Sequence, residues 1–137
     1  MGLTLSAYLR SAAERRFKWG THDCGTFVWG WVEAATGVDA LAPLRGRYTT
    51  ARGCVRVMRR LGHFSLLSAA EAGAIAAGLA PLCGDPMPGD IGVVESVPSG
   101  PVLALRCGPG WAVPAVRGVR IAPLPLIKGW RVEWRRC

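Results

Sequence analysis

The sequence predicts an α+β fold: N-terminal helices packed on a C-terminal, mostly antiparallel sheet of about five strands. Two observations carry this. Apolar residues recur at helical spacing until about residue 80, and from residue 86 the chain becomes apolar segments of strand length divided by Gly and Pro. A third observation marks where chemistry could lie: Cys24 stands at the start of the best-defined helix. With 137 residues, 50% of them hydrophobic, the chain suffices for one core and is short for two. Residues 1–137 are therefore expected to form a single domain, mainly helical over 1–80 and mainly strands over 86–137.

Leu5, Tyr8, Leu9, Ala12 and Ala13 outline a first helix ending near Arg16, with Thr4 or Ser6 to cap its start. It is expected to pack on the second helix, where Phe27, Val28, Trp31, Val32 and Ala35 follow Cys24. Asp23 is its expected N-cap and Gly37 its stop. Trp31 shares the apolar face, whereas Trp29 points elsewhere and is expected to be exposed. Residues 37–50 contain Pro43 and Gly46 and read as a loop anchored by Tyr48. Thr49 or Thr50 then caps a third helix, on which Cys54, Val57, Met58 and Leu61 fall at i, i+3, i+4 and i+7. That spacing turns Cys54 toward the core and the arginines toward solvent or a partner. Gly62 ends the helix, His63 falls on a surface turn, and residues 65–77 form a fourth helix rich in alanine.

The strand segments are residues 87–97, 101–107, 111–116, 118–124 and 130–134. Pro98, Ser99, Gly100 and Pro101 suit one hairpin turn and Gly108, Pro109 and Gly110 another, so the middle strands should meander. Asp90 is expected to tether the turn before the first of them by accepting hydrogen bonds from nearby N–H groups.

The formal net charge is +8 with an isoelectric point near 10.1. Such a surface suits nucleic acid, anionic lipid or an acidic protein. The cations are scattered: Arg15 and Arg16; Arg52, Arg56, Arg59 and Arg60; Arg131, Arg135 and Arg136. No helix-turn-helix, zinc-finger or base-stacking pattern organises them, so no specific nucleic-acid partner is expected. Six tryptophans accompany them. Exposed Trp beside Arg makes interaction hot spots, and a second core layer would account for the same residues.

Five cysteines, Cys24, Cys54, Cys83, Cys107 and Cys137, are an odd number without CxxC spacing, and the start at Met1 lacks the apolar core of a signal peptide. Reduced thiols in a cytosolic setting are expected, most of them small core residues. No cofactor or metal is expected; a cysteine-ligated iron–sulfur or zinc centre is the rival reading of the same residues. No segment is long and apolar enough to cross a bilayer, the best one being interrupted by Gly78, Pro81 and Gly84.

A cysteine opening a helix meets unpaired amide N–H groups and the positive end of the helix dipole, which favour thiolate if the sulfur is partly exposed. Set before a small sheet, it has the layout of a papain-like thiol hydrolase, in which an imidazole deprotonates the thiol and a third polar group orients the imidazole. At Asp23-Cys24 and again at Pro88-Gly89-Asp90 the chain resembles the NlpC/P60 cell-wall peptidase superfamily. More closely, Trp19-Gly20, His22-Asp23-Cys24, Thr36-Gly37-Val38-Asp39, Arg45-Gly46-Arg47-Tyr48 and Trp130-Arg131-Val132 look like a small family of phage and prophage proteins related to NlpC/P60.

The resemblance implies where a base should be. Active relatives begin the second sheet strand with histidine, in a pattern like HVGIYLG, and the next with a polar residue, in a pattern like IHA. Aligned by strand, both positions are proline here, Pro101 and Pro114. Proline carries neither a titratable group nor an N–H. His22 is then the weak candidate base, with His63 behind it, while Asp23 caps the helix or orients the site. Cys24 is either a vestige or the nucleophile.

Two functions follow from the resemblance. One is a catalytically lapsed structural or assembly component of a phage or gene-transfer-agent tail tip, docking to tail hub, tip or fibre proteins. Its location would be the virion tail, and the bacterial cytoplasm during assembly. The other is a cysteine peptidase or amidase cleaving peptidoglycan during genome delivery.

Overall fold

The computed structural model describes residues 4–133. Four helices, α1 (Leu5–Ala12), α2 (Cys24–Thr36), α3 (Ala51–Arg60) and α4 (Leu66–Ala76), precede six strands. These are β1 (Ala80–Pro81), β2 (Ile91–Ser96), β3 (Gly100–Cys107), β4 (Gly110–Pro114), β5 (Val119–Ala122) and β6 (Leu126–Arg131). The order across the sheet is β1-β6-β2-β3-β4-β5, and every pairing is antiparallel. The α+β architecture and the meander of β2 to β5 agree with the expectation. Trp134, Arg135, Arg136 and Cys137, which the sequence reading invoked, lie outside the described residues.

Each helix starts on a polar side chain that accepts from the first turn: Thr4 from Ala7 N, Asp23 from Thr26 N, Thr50 from Gly53 N and Ser65 from Ser68 N. Helix α2 ends at Gly37, whose φ of 79° is the left-handed conformation glycine supplies without strain. Helix α1 stops at Ala12, short of Arg16, because Arg16 leaves the helix to bridge Arg117.

Helix α2 is the centre of the molecule. Phe27, Val28, Trp29, Trp31, Val32 and Ala35 are all buried, so it is enclosed on several sides rather than lying on one apolar stripe. Trp29 is thus a correction to the expected exposed residue. Its ring lies against Gly73 of α4, where an added Cβ would stand 2.7 Å from the indole, so the small residue on α4 makes the room. Tyr8 of α1 packs on Phe27 and Trp31 with centroids 5.6 and 5.5 Å away and donates its hydroxyl to the Phe27 carbonyl. Burial pushes the Tyr8 phenol up to about 12.

Alternation along the strands gives the sheet two apolar faces. Ile91, Val93, Leu103, Leu105, Cys107, Ala112 and Trp130 join the helices in the main core, while Val94, Ala104, Trp111 and Val113 form a smaller one behind. The connection from β5 to β6 explains how that second face is covered. A flat sheet would separate those strands by four inter-strand steps, roughly 19 Å. The four residue steps from Ala122 to Leu126 reach at most about 14 Å. The sheet must therefore curl, with a register shift at Val93 and Val94 contributing. Curling brings Leu124 onto the Trp111 cluster, and Pro125 O accepts from Glu95 N at 2.9 Å.

The last strand starts earlier than expected, at Leu126 rather than near Trp130, because the Pro-bounded link ends at Pro125. Asp90 tethers its turn as expected. Its buried carboxylate accepts from Met87 N, Val132 N and Arg131 Nε at 2.8, 3.2 and 3.1 Å, and Trp31 Nε1 donates to the adjoining Gly89 carbonyl at 2.8 Å.

Helix α3 is the exception to this enclosure. None of its residues is buried; Cys54, Val57 and Met58 are only half-buried.

Candidate functional site

Asp23 organises the start of α2. Its backbone is extended, and its carboxylate is 1% exposed. Oδ1 accepts from Thr26 N at 2.9 Å while Thr26 Oγ1 accepts from Asp23 N at 2.8 Å, completing a capping box. Oδ2 accepts from Gly20 N at 2.7 Å and from the Tyr48 hydroxyl at 2.8 Å. Gly20 has φ of 93°, and a Cβ there would stand 2.6 Å from the Tyr48 carbonyl oxygen. The loop before α2 and the loop before α3 are thus clamped together through one carboxylate, and Tyr48 anchors its loop as the sequence suggested. Burial, followed by the hydrogen bond to Asp23 and its charge, raises the Tyr48 pKa.

Cys24 is the first residue of α2, where the sequence placed it. Burial first, and then the charge of Asp23, push its thiol up to about 11. Backbone N–H groups of Leu103, Gly25 and Cys24 itself oppose the shift without cancelling it. The residue is half-buried, and its thiol meets the backbone N–H of Leu103 on β3. Desolvation therefore outweighs the helix-start effect. With a pKa of about 11, roughly one thiol in ten thousand is ionised at neutral pH.

His22 is 1% exposed, and its Nε2 lies 3.2 Å from the Gly118 carbonyl. A carbonyl only accepts, so Nε2 carries the hydrogen in this pairing. The ring stands edge-on to Phe27, with centroids 6.2 Å apart. Gly118 in turn donates to Arg15 O at 2.7 Å and has φ of 70°; a Cβ there would meet the Ala13 carbonyl oxygen at 2.6 Å. His22 thereby ties the turn between β4 and β5 to the loop before α2, while the Gly118–Arg15 bond ties the same turn to the segment after α1. His63 Nδ1 is 2.9 Å from Ser68 Oγ, in the turn between α3 and α4. Among the described residues no hydrogen bond joins either imidazole to Cys24.

The strands opposite Cys24 supply no base in either register. On the helix-facing side β3 and β4 present Pro101, Leu103, Leu105, Cys107, Ala112 and Pro114; on the other they present Val102, Ala104, Arg106, Trp111 and Val113. Pro101 pairs with Glu95 near the start of β3, as aligned. Pro114 closes β4 instead of opening a strand, and pairs with Val119. A slip of one or two residues exchanges Pro101 for Ser99, Gly100, Val102 or Leu103, and Pro114 for Ala112, Val113, Ala115 or Val116, none of them a titratable base.

Sequence spacing did not reveal the company of Cys54. Its thiol is also pushed up to about 11, first by burial and then by the charges of Asp23 and Cys24, so it belongs to the same electrostatic neighbourhood. Helical periodicity turned Cys54 inward but carried no signal for the charge it would face. Cys24, Cys54, Cys83 and Cys107 are free thiols, and among the described residues no group of three His, Cys, Asp or Glu side chains converges to hold a metal ion.

Residues 3–132 match the profile of DUF6950, a domain of unknown function. The chain belongs to the DUF6950 family. No curated protein and no solved structure matches it. The DUF6950 match spans nearly the whole chain, including the Asp23 clamp, the Asp90 turn and all six strands. No helix of the described residues is long and apolar enough to cross a membrane.

Proposed function

We propose that the chain is a non-catalytic relative of the NlpC/P60 hydrolases that acts as a structural or assembly component of a phage or gene-transfer-agent tail tip, docking to tail hub, tip or fibre proteins. One observation carries the non-catalytic part. Cys24 keeps its helix-start position, but burial holds it as a thiol, and both imidazoles are engaged elsewhere, with Gly118 and Ser68. A nucleophilic thiol needs a base within hydrogen-bond reach, and the strand position that carries it in the resembled enzymes aligns with Pro101. The tail setting rests on the resemblance of the His22-Asp23-Cys24 and Arg45-Gly46-Arg47-Tyr48 segments to phage and prophage proteins.

The test is twofold. Purified peptidoglycan is treated with the wild-type protein and with Cys24→Ala, and released fragments are read by mass spectrometry. The expected result is no Cys24-dependent release. In parallel, the protein is sought in purified particles, and particle assembly is followed after its deletion. Cys24-dependent release of peptide fragments would establish the rival cysteine hydrolase. Absence from particles combined with normal assembly would remove the tail assignment.

A further inference from the structure

We infer that the solvent face of α3 is a docking surface for an acidic, partly apolar helix of another protein. Between Asp39 and Glu71 the chain has no acidic residue but carries Arg45, Arg47, Arg52, Arg56, Arg59 and Arg60, which account for most of the net charge of +8. Arg45 is neutralised by a two-pronged pairing with Asp39 at 2.8 and 3.0 Å. Among the described residues no carboxylate pairs with Arg52, Arg56, Arg59 or Arg60. These four surround Val55 on one face of the helix.

The arrangement costs the isolated domain stability. Arg52 and Arg56, and Arg56 and Arg60, are like charges one helical turn apart, an unfavourable spacing that the last-turn placement of Arg59 and Arg60 offsets only in part. The helix also gains little from the rest of the fold, since none of its residues is buried. A partner that brings carboxylates would relieve the repulsion and cover the helix together.

Three features choose among occupants. The cations are all arginine, whose planar fork matches a carboxylate or a phosphate with two parallel hydrogen bonds, so the surface around them decides between the two. Val55 stands 43% exposed between the arginines, and Leu61 and Phe64, just past the helix end, are 42% and 78% exposed. Apolar surface beside arginine is the composition of protein interfaces, whereas a phosphate backbone offers Val55 nothing to pack against. A second copy is disfavoured because two such faces would set arginine against arginine. Arg52, Arg56 and Arg59 follow i, i+4 and i+7, so their Cα atoms span about 11 Å along the axis. A facing helix with Glu at the same spacing and Leu between would match both charge and apolar content.

This inference deepens the docking reading and rests on it, but it does not need the partner to be a tail protein. The experiment uses the full chain and a synthetic helical peptide with Glu at i, i+4 and i+7 and Leu facing Val55. A scrambled peptide of the same composition and a DNA duplex of matched charge are the comparisons, with binding read by fluorescence anisotropy at physiological ionic strength. The patterned peptide should bind about tenfold more tightly than the scrambled one, and the Arg52→Gln/Arg56→Gln/Arg59→Gln variant should lose that advantage. Arg→Lys at the same positions keeps the charge without the fork and should fall between. Circular dichroism of each variant establishes that α3 remains folded. Equal binding of patterned and scrambled peptides, tighter binding of the duplex, or no peptide binding would overturn the inference. Assembly of particles tests the tail setting separately, so the two failures are distinguishable.

Discussion

The Tyr48 hydroxyl donates to Asp23 Oδ2 across 2.8 Å, joining residues 25 positions apart in a buried site. Through this bond the loop preceding α3 holds the first turn of α2, and with it the placement of Cys24 against β3. The Asp23 carboxylate is committed to structure: Gly20, Thr26 and Tyr48 all donate to it.

Removing the hydroxyl leaves one acceptor site of a buried carboxylate unfilled, so Tyr48→Phe should destabilise the fold by about 1–2 kcal/mol. Asp23→Ala strands three donors and removes the cap, and should cost about 3 kcal/mol or more. Urea unfolding of both single variants and the double variant would measure this. Because the residues share one bond, the double variant should lose less than the sum of the two.

The elevated thiols predict both reactivity and alkaline behaviour. Iodoacetamide should modify exposed Cys83 well before Cys24 or Cys54 at neutral pH, as read by peptide mass spectrometry. A thiol whose pKa is higher folded than unfolded binds more protons in the native state between those two values. Stability is therefore fully present below the ordinary thiol value of 9.0 and is lost as pH rises toward about 11. Cys24→Ala should flatten that loss in denaturation measured across the window. An unchanged alkaline slope would show that Cys24 does not contribute.

Asp90 should matter more than its ion-pair partner. Asp90→Ala leaves Met87 N, Val132 N and the Arg131 guanidinium without their acceptor, at about 3 kcal/mol. Arg131 is partly exposed and screened, so Arg131→Ala should cost about 1 kcal/mol. Comparing the two denaturation midpoints tests the order.

Gly73 admits Trp29 between α2 and α4. Gly73→Val should overpack this contact and cost about 1–3 kcal/mol. Trp29→Leu in the same chain should recover part of it, because a smaller side chain makes room. Thermal denaturation of the single and double variants would report the coupling.

The helix starts were legible because capping is local: Thr4, Asp23, Thr50 and Ser65 each precede an apolar run and act within a turn. The strand alternation and Pro/Gly turns gave the meander for the same reason. Trp29 was misplaced because a single helical stripe assumes one buried face, and only the packing of Gly73 from α4 reveals a second. The sequence left the Cys24 acidity conditional on exposure, because the dipole is a property of the helix start whereas burial is set by tertiary packing. The closeness of Cys54 to this site was likewise a matter of tertiary packing. Pro101 and Pro114 were readable as lacking a base, although Pro114 closes its strand where the alignment had it opening one.

Pro123, Leu124 and Pro125 look like an ordinary exposed connector, the kind of segment in which natural insertions accumulate. The curl of the sheet gives this one a different standing. Its shortness draws the two distant strands together over Trp111, so lengthening it would slacken the closure and open an apolar face to water. Sequence length between Ala122 and Leu126 should consequently be among the least variable spacings in this family, held by topology rather than by chemistry.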